Sequence, residues 1–129
     1  MIKNEIIKIA LNTKNVGLTN KYDFKSNLKN SFCGDKIELE LIVKNLKIDT
    51  MKYETEACVY CEASASLLST KIKNLNLTTI INELKLLKRL SKNEKLSFPR
   101  HFKDFKILIN KNNLKRMSCI NLPLDAVLK

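Results

Sequence analysis

Few residues of this 129-residue chain can do chemistry: four cysteines (Cys33, Cys58, Cys61, Cys119), one histidine (His101), and Asp35 within the run Cys33-Gly34-Asp35. Thiolates and carboxylates are ligands for zinc and iron, and a glycine between two such donors allows the tight backbone a shared site needs. An even cysteine count would suit disulfides in a secreted chain. The N-terminus Met1-Ile2-Lys3-Asn4-Glu5, however, has neither the long apolar stretch nor the small-residue cleavage site of a secretory signal. Reduced thiols are therefore expected, used for metal binding, for sulfur chemistry, or as the small buried hydrophobes that lone cysteines often are. Cys58-Val59-Tyr60-Cys61 is a Cys-x-x-Cys match, but a zinc ribbon needs a second pair and a thioredoxin-like motif needs a preceding βαβ strand. Cys61 reads as a packing thiol or a spare sulfur carrier. His101 reads as part of a surface turn, and Ser64, Ser66 and Ser69 as packing residues. The sequence holds no phosphate-binding glycine loop and no catalytic carboxylate pair of recognisable spacing.

The elements that must position the donors follow from hydrophobic period. Residues 36–44 alternate cleanly, with Ile37, Leu39, Leu41 and Val43 against Lys36, Glu38, Glu40 and Lys44. Residues 50–57 repeat the pattern, and the short polar link Asn45–Lys47 predicts an antiparallel hairpin. Pairing these strands brings Cys33, Asp35 and Cys58 to one end of the sheet, and tertiary packing has only to add Cys119. Residues 2–11 read as an amphipathic helix, and 12–32 as irregular with a turn at Gly17. A helix is expected after Cys58 and another through Ile80, Ile81, Leu84, Leu87 and Leu90, capped by Thr78 or Thr79. Pro99 precedes a short helical stretch with Phe102 and Phe105. The segment 114–128 ends as a helix in which Pro123 is expected within the first turn. The fold class is α+β: a small antiparallel sheet of about three strands with helices packed on one face.

Composition bounds the rest. Hydrophobic residues make up 44% and charged residues 29%, an ordinary globular balance, and no apolar run approaches the ~20 residues of a membrane span. The formal charge of +11 comes from 24 basic and 13 acidic residues. Only Arg89, Arg100 and Arg116 among the basic residues are Arg, and the lysines are spread along the chain beside abundant Ile and Asn. With aromatics at 6% and no Trp, this reads as a solvated surface rather than a nucleic-acid site. A cytoplasmic protein with neither nucleic-acid nor membrane partner is expected.

Four stretches, in order, resemble the NifU/IscU-type iron–sulfur assembly scaffolds. Asn12-Thr13-Lys14-Asn15-Val16-Gly17 is similar to their Asn-x-x-Asn-Val-Gly opening. Cys33-Gly34-Asp35 before an alternating strand resembles their first ligand turn. Ala57-Cys58, followed by small and Ser-rich helix residues, resembles the second ligand segment. Arg116-Met117-Ser118-Cys119, with Leu122 and Asp125-Ala126 beyond, resembles the third. The long interval from Cys58 to Cys119 is similar to that of the SUF-associated, SufU-like branch. So is Ser118, standing where the housekeeping scaffold has His, and so is the missing Leu-Pro-Pro-Val-Lys chaperone motif. Val59 departs from the Gly that many relatives carry after the second cysteine.

The resemblance implies a NifU/SufE-like fold spanning 1–129 as one scaffold domain. It implies a carrier rather than an enzyme, with Cys33, Asp35, Cys58 and Cys119 as ligands. These would hold a transient [2Fe–2S] cluster, with sulfur received from a cysteine desulfurase onto Cys119 or Cys33 and the cluster passed to acceptor apoproteins. The alternative it implies is a zinc-dependent sulfur acceptor that stimulates a desulfurase through the same four residues.

Overall fold

A computed structural model describes residues 3–31, 34–92 and 97–128. The chain opens with α1 (Asn4–Leu11), whose Ile6 enters the core. Three strands follow, β1 (Phe24–Lys29), β2 (Lys36–Lys44) and β3 (Lys47–Glu56), in an antiparallel sheet of order β1-β2-β3. The helices α2 (Val59–Lys71) and α3 (Leu77–Leu90) come next. Two 3₁₀ segments, Arg100–Ile107 and Lys111–Arg116, then lead into α4 (Met117–Leu128).

The β2–β3 hairpin forms as its alternation predicts. Its link is tighter than the polar stretch suggests: Asn45 and Leu46 both adopt positive φ (54° and 64°), the two-residue turn whose twist matches that of the flanking strands. A register shift between Ile42 and Val43 lengthens β3, and Ile37, Leu39, Leu41, Met51 and Tyr53 all face the helices.

The stretch 12–32 is not irregular throughout. It contains β1, which sequence pattern missed because Phe24-Lys25-Ser26-Asn27-Leu28-Lys29 places a serine where alternation wants an apolar residue. Upstream, Gly17 N–H donates to Tyr53 O (2.9 Å) and Tyr53 N–H to Asn15 O (3.2 Å), so 15–17 lies parallel against the outer edge of β3.

Against the sheet lies α2, buried along nearly its whole length. Tyr60, Cys61 and every residue from Ala63 to Ser69 are inside. Small residues there let α1 and α4 approach closely. The hydroxyls of Ser64, Ser66 and Ser69 find backbone acceptors at Ile120, Asn12 and Ser66, and Asn15 Nδ2 donates to Ser69 Oγ. Their packing role thus includes tying the 12–15 segment and α4 to α2.

Asn76, not a threonine, caps α3: its Oδ1 accepts the Thr79 N–H at 2.8 Å. His101 lies, part-exposed, at the start of the first 3₁₀ segment. Its Nδ1 lies 2.7 Å from Glu83 Oε2 and its N–H donates to Glu83 Oε1, clipping the first 3₁₀ segment to α3. Helix α4 starts at Met117, so Pro123 falls inside the helix rather than in its first turn. There it removes the N–H that would bond the Cys119 carbonyl one turn back. Tertiary packing overrides that cost, since Ile120, Leu122, Leu124 and Ala126 are all buried.

Candidate metal centre

The site is built where β2 begins and β3 ends. Lys36 pairs with Glu56, so the residues just outside the ladder, Asp35 and Cys58, are neighbours. Before Asp35 the chain makes a closed turn: Gly34 N–H donates to Asn30 O (2.8 Å) and Asn30 N–H to Asp35 O (2.7 Å). Gly34 holds φ +78°, with nothing within 4 Å of where a Cβ would lie. Glycine is required there by backbone conformation rather than by space.

Cys58 is the N-cap residue of α2, in extended conformation (φ −71°, ψ 167°). Its N–H donates to Asp35 Oδ1 at 3.2 Å, which joins the turn to the start of the helix. The carboxylate thereby stands at the N-terminal end of α2, where unpaired first-turn amides favour negative charge.

Cys119 arrives from the first turn of α4 and is 3% exposed. Two contacts hold α4 at that height on α2. Ser64 Oγ donates to Ile120 O at 2.7 Å, inside the core. The Arg116 guanidinium lies over the Tyr60 ring, 5.7 Å from its centroid. Each contact joins a residue near Cys58 to one beside Cys119.

The donor atoms of Asp35, Cys58 and Cys119 all lie within 4.8 Å of one another. Thiolates on one tetrahedral zinc stand about 3.8 Å apart, the edge of a tetrahedron with ~2.3 Å bonds. Closing on an ion thus needs side-chain movements of about 1 Å. Asp35 itself is buried, and its Oδ2 has no hydrogen-bond partner among the described residues. A buried carboxylate oxygen without a donor is costly, and a cation satisfies it. The donor set fits a metal on that observation.

Of the four residues the sequence nominates, the structure brings three together, and Cys33 lies outside the described residues. Cys61 is fully buried in the core and does not belong to the group. What sequence reading missed is the support: Ser64, Tyr60 and Arg116, whose partners lie far along the chain.

Beside the centre opens a cleft of about 460 Å³, lined by Lys36, Glu38, Tyr53, Glu54, Glu56 and Glu62 among others. Burial pushes the Glu62 carboxyl above its ordinary value, and the Asp35 carboxylate adds to the shift. This corner is acidic although the chain as a whole is strongly basic. No described helix is long and apolar enough to cross a membrane.

The profile of the NifU-like N-terminal domain matches residues 1–110. Among solved structures, the N-terminal part of a NifU-like protein from Brucella abortus superposes with a TM-score of 0.88 at 20% identity, covering 98% of this chain and 88% of its own. A candidate iron–sulfur cluster assembly scaffold protein for the SUF system (FiSufU), from Fervidobacterium islandicum AW-1, gives 0.89 at 20% identity and covers 98% and 96%. These likenesses confirm the three-stranded α+β fold. No curated protein matches the chain by sequence.

Proposed function

Since the chain belongs to the NifU-like N-terminal domain family, we propose that it is an iron–sulfur cluster assembly scaffold of the SufU-like kind. In this reading one domain spans 1–129, with Cys33, Asp35, Cys58 and Cys119 as its metal-binding residues. The observation that carries it is the convergence of Asp35, Cys58 and Cys119 donors around a carboxylate oxygen that has no partner among the described residues. Cys33 precedes Gly34 in the chain and is the natural fourth donor.

Each residue has a distinct task. The thiolates bind iron strongly, whereas the carboxylate is a hard ligand that exchanges easily. A carrier must release its cargo, and one weak ligand among four serves that end. Because its Oδ1 is held by the Cys58 amide, Asp35 meets the cargo through Oδ2 without rearranging the turn. Cys58 is half-buried while Cys119 is nearly closed off. The partners are a cysteine desulfurase, supplying sulfur to Cys119 or Cys33, and acceptor apoproteins.

A specific observation favours a second state of the same site. Three donors within 4.8 Å are compact enough for a single ion. A [2Fe–2S] cluster has its ligands divided between two irons, so the donor set must widen to hold it. A zinc-loaded form, acting as sulfur acceptor and stimulating the desulfurase, fits the compact arrangement.

Metal analysis of anaerobically purified protein, followed by reconstitution with iron and sulfide, tests both. The scaffold reading expects a thiolate-to-iron absorption band that Cys33→Ser, Cys58→Ser and Cys119→Ser each weaken; a wild-type protein giving no band overturns it. The zinc reading expects about one zinc per chain and stimulation of a desulfurase, and is overturned by their absence.

A further inference from the structure

At the opposite end of β1 from the metal centre lies an apolar groove of about 230 Å³. Phe24 and Ser26 of β1, Ile80 and Ile81 of α3, and Val127 and Leu128 of α4 are among its walls. Register puts Phe24, Ser26 and Leu28 opposite Leu41, Leu39 and Ile37, hence on the helix-covered face of the sheet. Phe24 is nonetheless 57% exposed and Ile81 45%, because the helices stop short of this corner. Ser26 Oγ is buried there and has no hydrogen-bond partner among the described residues.

The groove runs beside an open sheet edge. The outer side of β3 is met by bridges at Val16 and Asn76, whereas no described segment pairs with the outer side of β1. On the solvent face this edge carries Lys25 and Lys29, neither of which forms an ion pair among the described residues. Two acids share this face on β2: Glu40, opposite Lys25 and lowered by its charge while bonded to Thr19 and Asn20, and Glu38, opposite Asn27. Asp23 accepts the Val43 N–H and Asp125 pairs with Lys88, so the outermost charges of the edge itself are the two lysines. Lysines alone would be an ordinary guard against edge-to-edge association. A guarded edge does not, however, expose an aromatic residue above an apolar groove.

We propose that β1 accepts an added strand from an extended partner segment in which apolar and acidic residues alternate. Strand addition bonds the outer N–H and C=O groups of Lys25 and Lys29, and the alternation of side chains sets the specificity. The apolar residues fill the groove against Phe24 and Ile81, and a polar backbone or side-chain group reaches Ser26 Oγ. The acidic residues meet Lys25 and Lys29 across the strands, where opposite charges attract and like charges repel. A second copy of this chain is the poorer occupant. Antiparallel β1–β1 pairing centred on Asn27 sets Lys25 opposite Lys29 twice, between chains of +11 each.

The test uses the full chain and a synthetic heptapeptide alternating Glu with Val and Leu, beside its Lys-for-Glu counterpart. The acidic peptide should bind and should slow hydrogen exchange of the β1 amides not bonded to β2. Phe24→Ser should weaken binding about tenfold or more, as expected for one aromatic side chain taken out of contact. Lys25→Glu with Lys29→Glu should transfer preference to the basic peptide. Equal binding of the two peptides, or no added protection along β1, overturns the proposal. So does a wild-type dimer that Phe24→Ser dissociates, since the surface would then belong to a second copy.

Discussion

Replacing Asp35 by alanine should leave the empty protein nearly unchanged and destabilise the metal-loaded one. Without metal, the change removes the acceptor of the Cys58 N–H, which at a buried site costs about 1–3 kcal/mol. It also removes a buried carboxylate oxygen that has no partner among the described residues, a relief of similar size. The two nearly cancel, and the net change should stay within about 1 kcal/mol, or roughly 3–5 °C in Tm for a domain of this size. With zinc at about a thousand times its Kd, wild type gains about 4.1 kcal/mol from mass action. Loss of a direct ligand should weaken affinity by ~100-fold, the upper end for disturbing even an outer-shell partner. The gain then falls to about 1.4 kcal/mol. The metal-dependent gap of about 2.7 kcal/mol corresponds to roughly 10 °C. Scanning calorimetry of both proteins, in chelator and in excess zinc, reads it directly. Equal zinc-induced shifts in wild type and Asp35→Ala would show that the carboxylate is not a ligand and that its orphan oxygen has another cause.

Three further outcomes follow from the same geometry. Ser64→Ala strips the Ile120 carbonyl of a buried donor and should cost about 1–2 kcal/mol in urea unfolding, with zinc affinity falling alongside as Cys119 loses its footing on α2; unchanged stability would mean that this bond positions nothing. Gly34→Ala should cost about 1–2 kcal/mol from the positive φ alone, and Gly34→Asn less, so an alanine variant as stable as wild type would contradict the left-handed turn. Glu40 offers a pH test. Burial works to raise its carboxyl, but hydrogen bonds from Thr19 N–H and hydroxyl and from Asn20 N–H, with the charge of Lys25, prevail and hold it below the ordinary value of 4.5. A lowered folded value means that the charged form stabilises the fold above pH 4.5 and that this is lost as pH falls through the folded value. Glu40→Gln should therefore lower Tm at pH 7 and converge on wild type in strong acid, and a constant gap across that range would rule out the linkage.

The sequence by itself determined what is local. The 36–44 alternation, the left-handed turn at Gly34, and the helical period through Leu84 and Leu87 each follow from interactions within a few residues, and each appears in the fold as read. Even the meeting of Asp35 with Cys58 is near-local, because an antiparallel hairpin returns to its starting end by construction. Tertiary structure decided the rest. Phe24–Lys29 becomes a strand because β2 offers it an edge, despite a weak pattern of its own, and Pro123 is carried inside α4 because the core needs the residues on either side. The height of Cys119 relative to Cys58 is set by Ser64 on Ile120 and by Arg116 on Tyr60. Such contacts leave no periodic trace: a hydroxyl meeting a carbonyl across two packed helices depends on how far one slides along the other, and only the filled core fixes that distance.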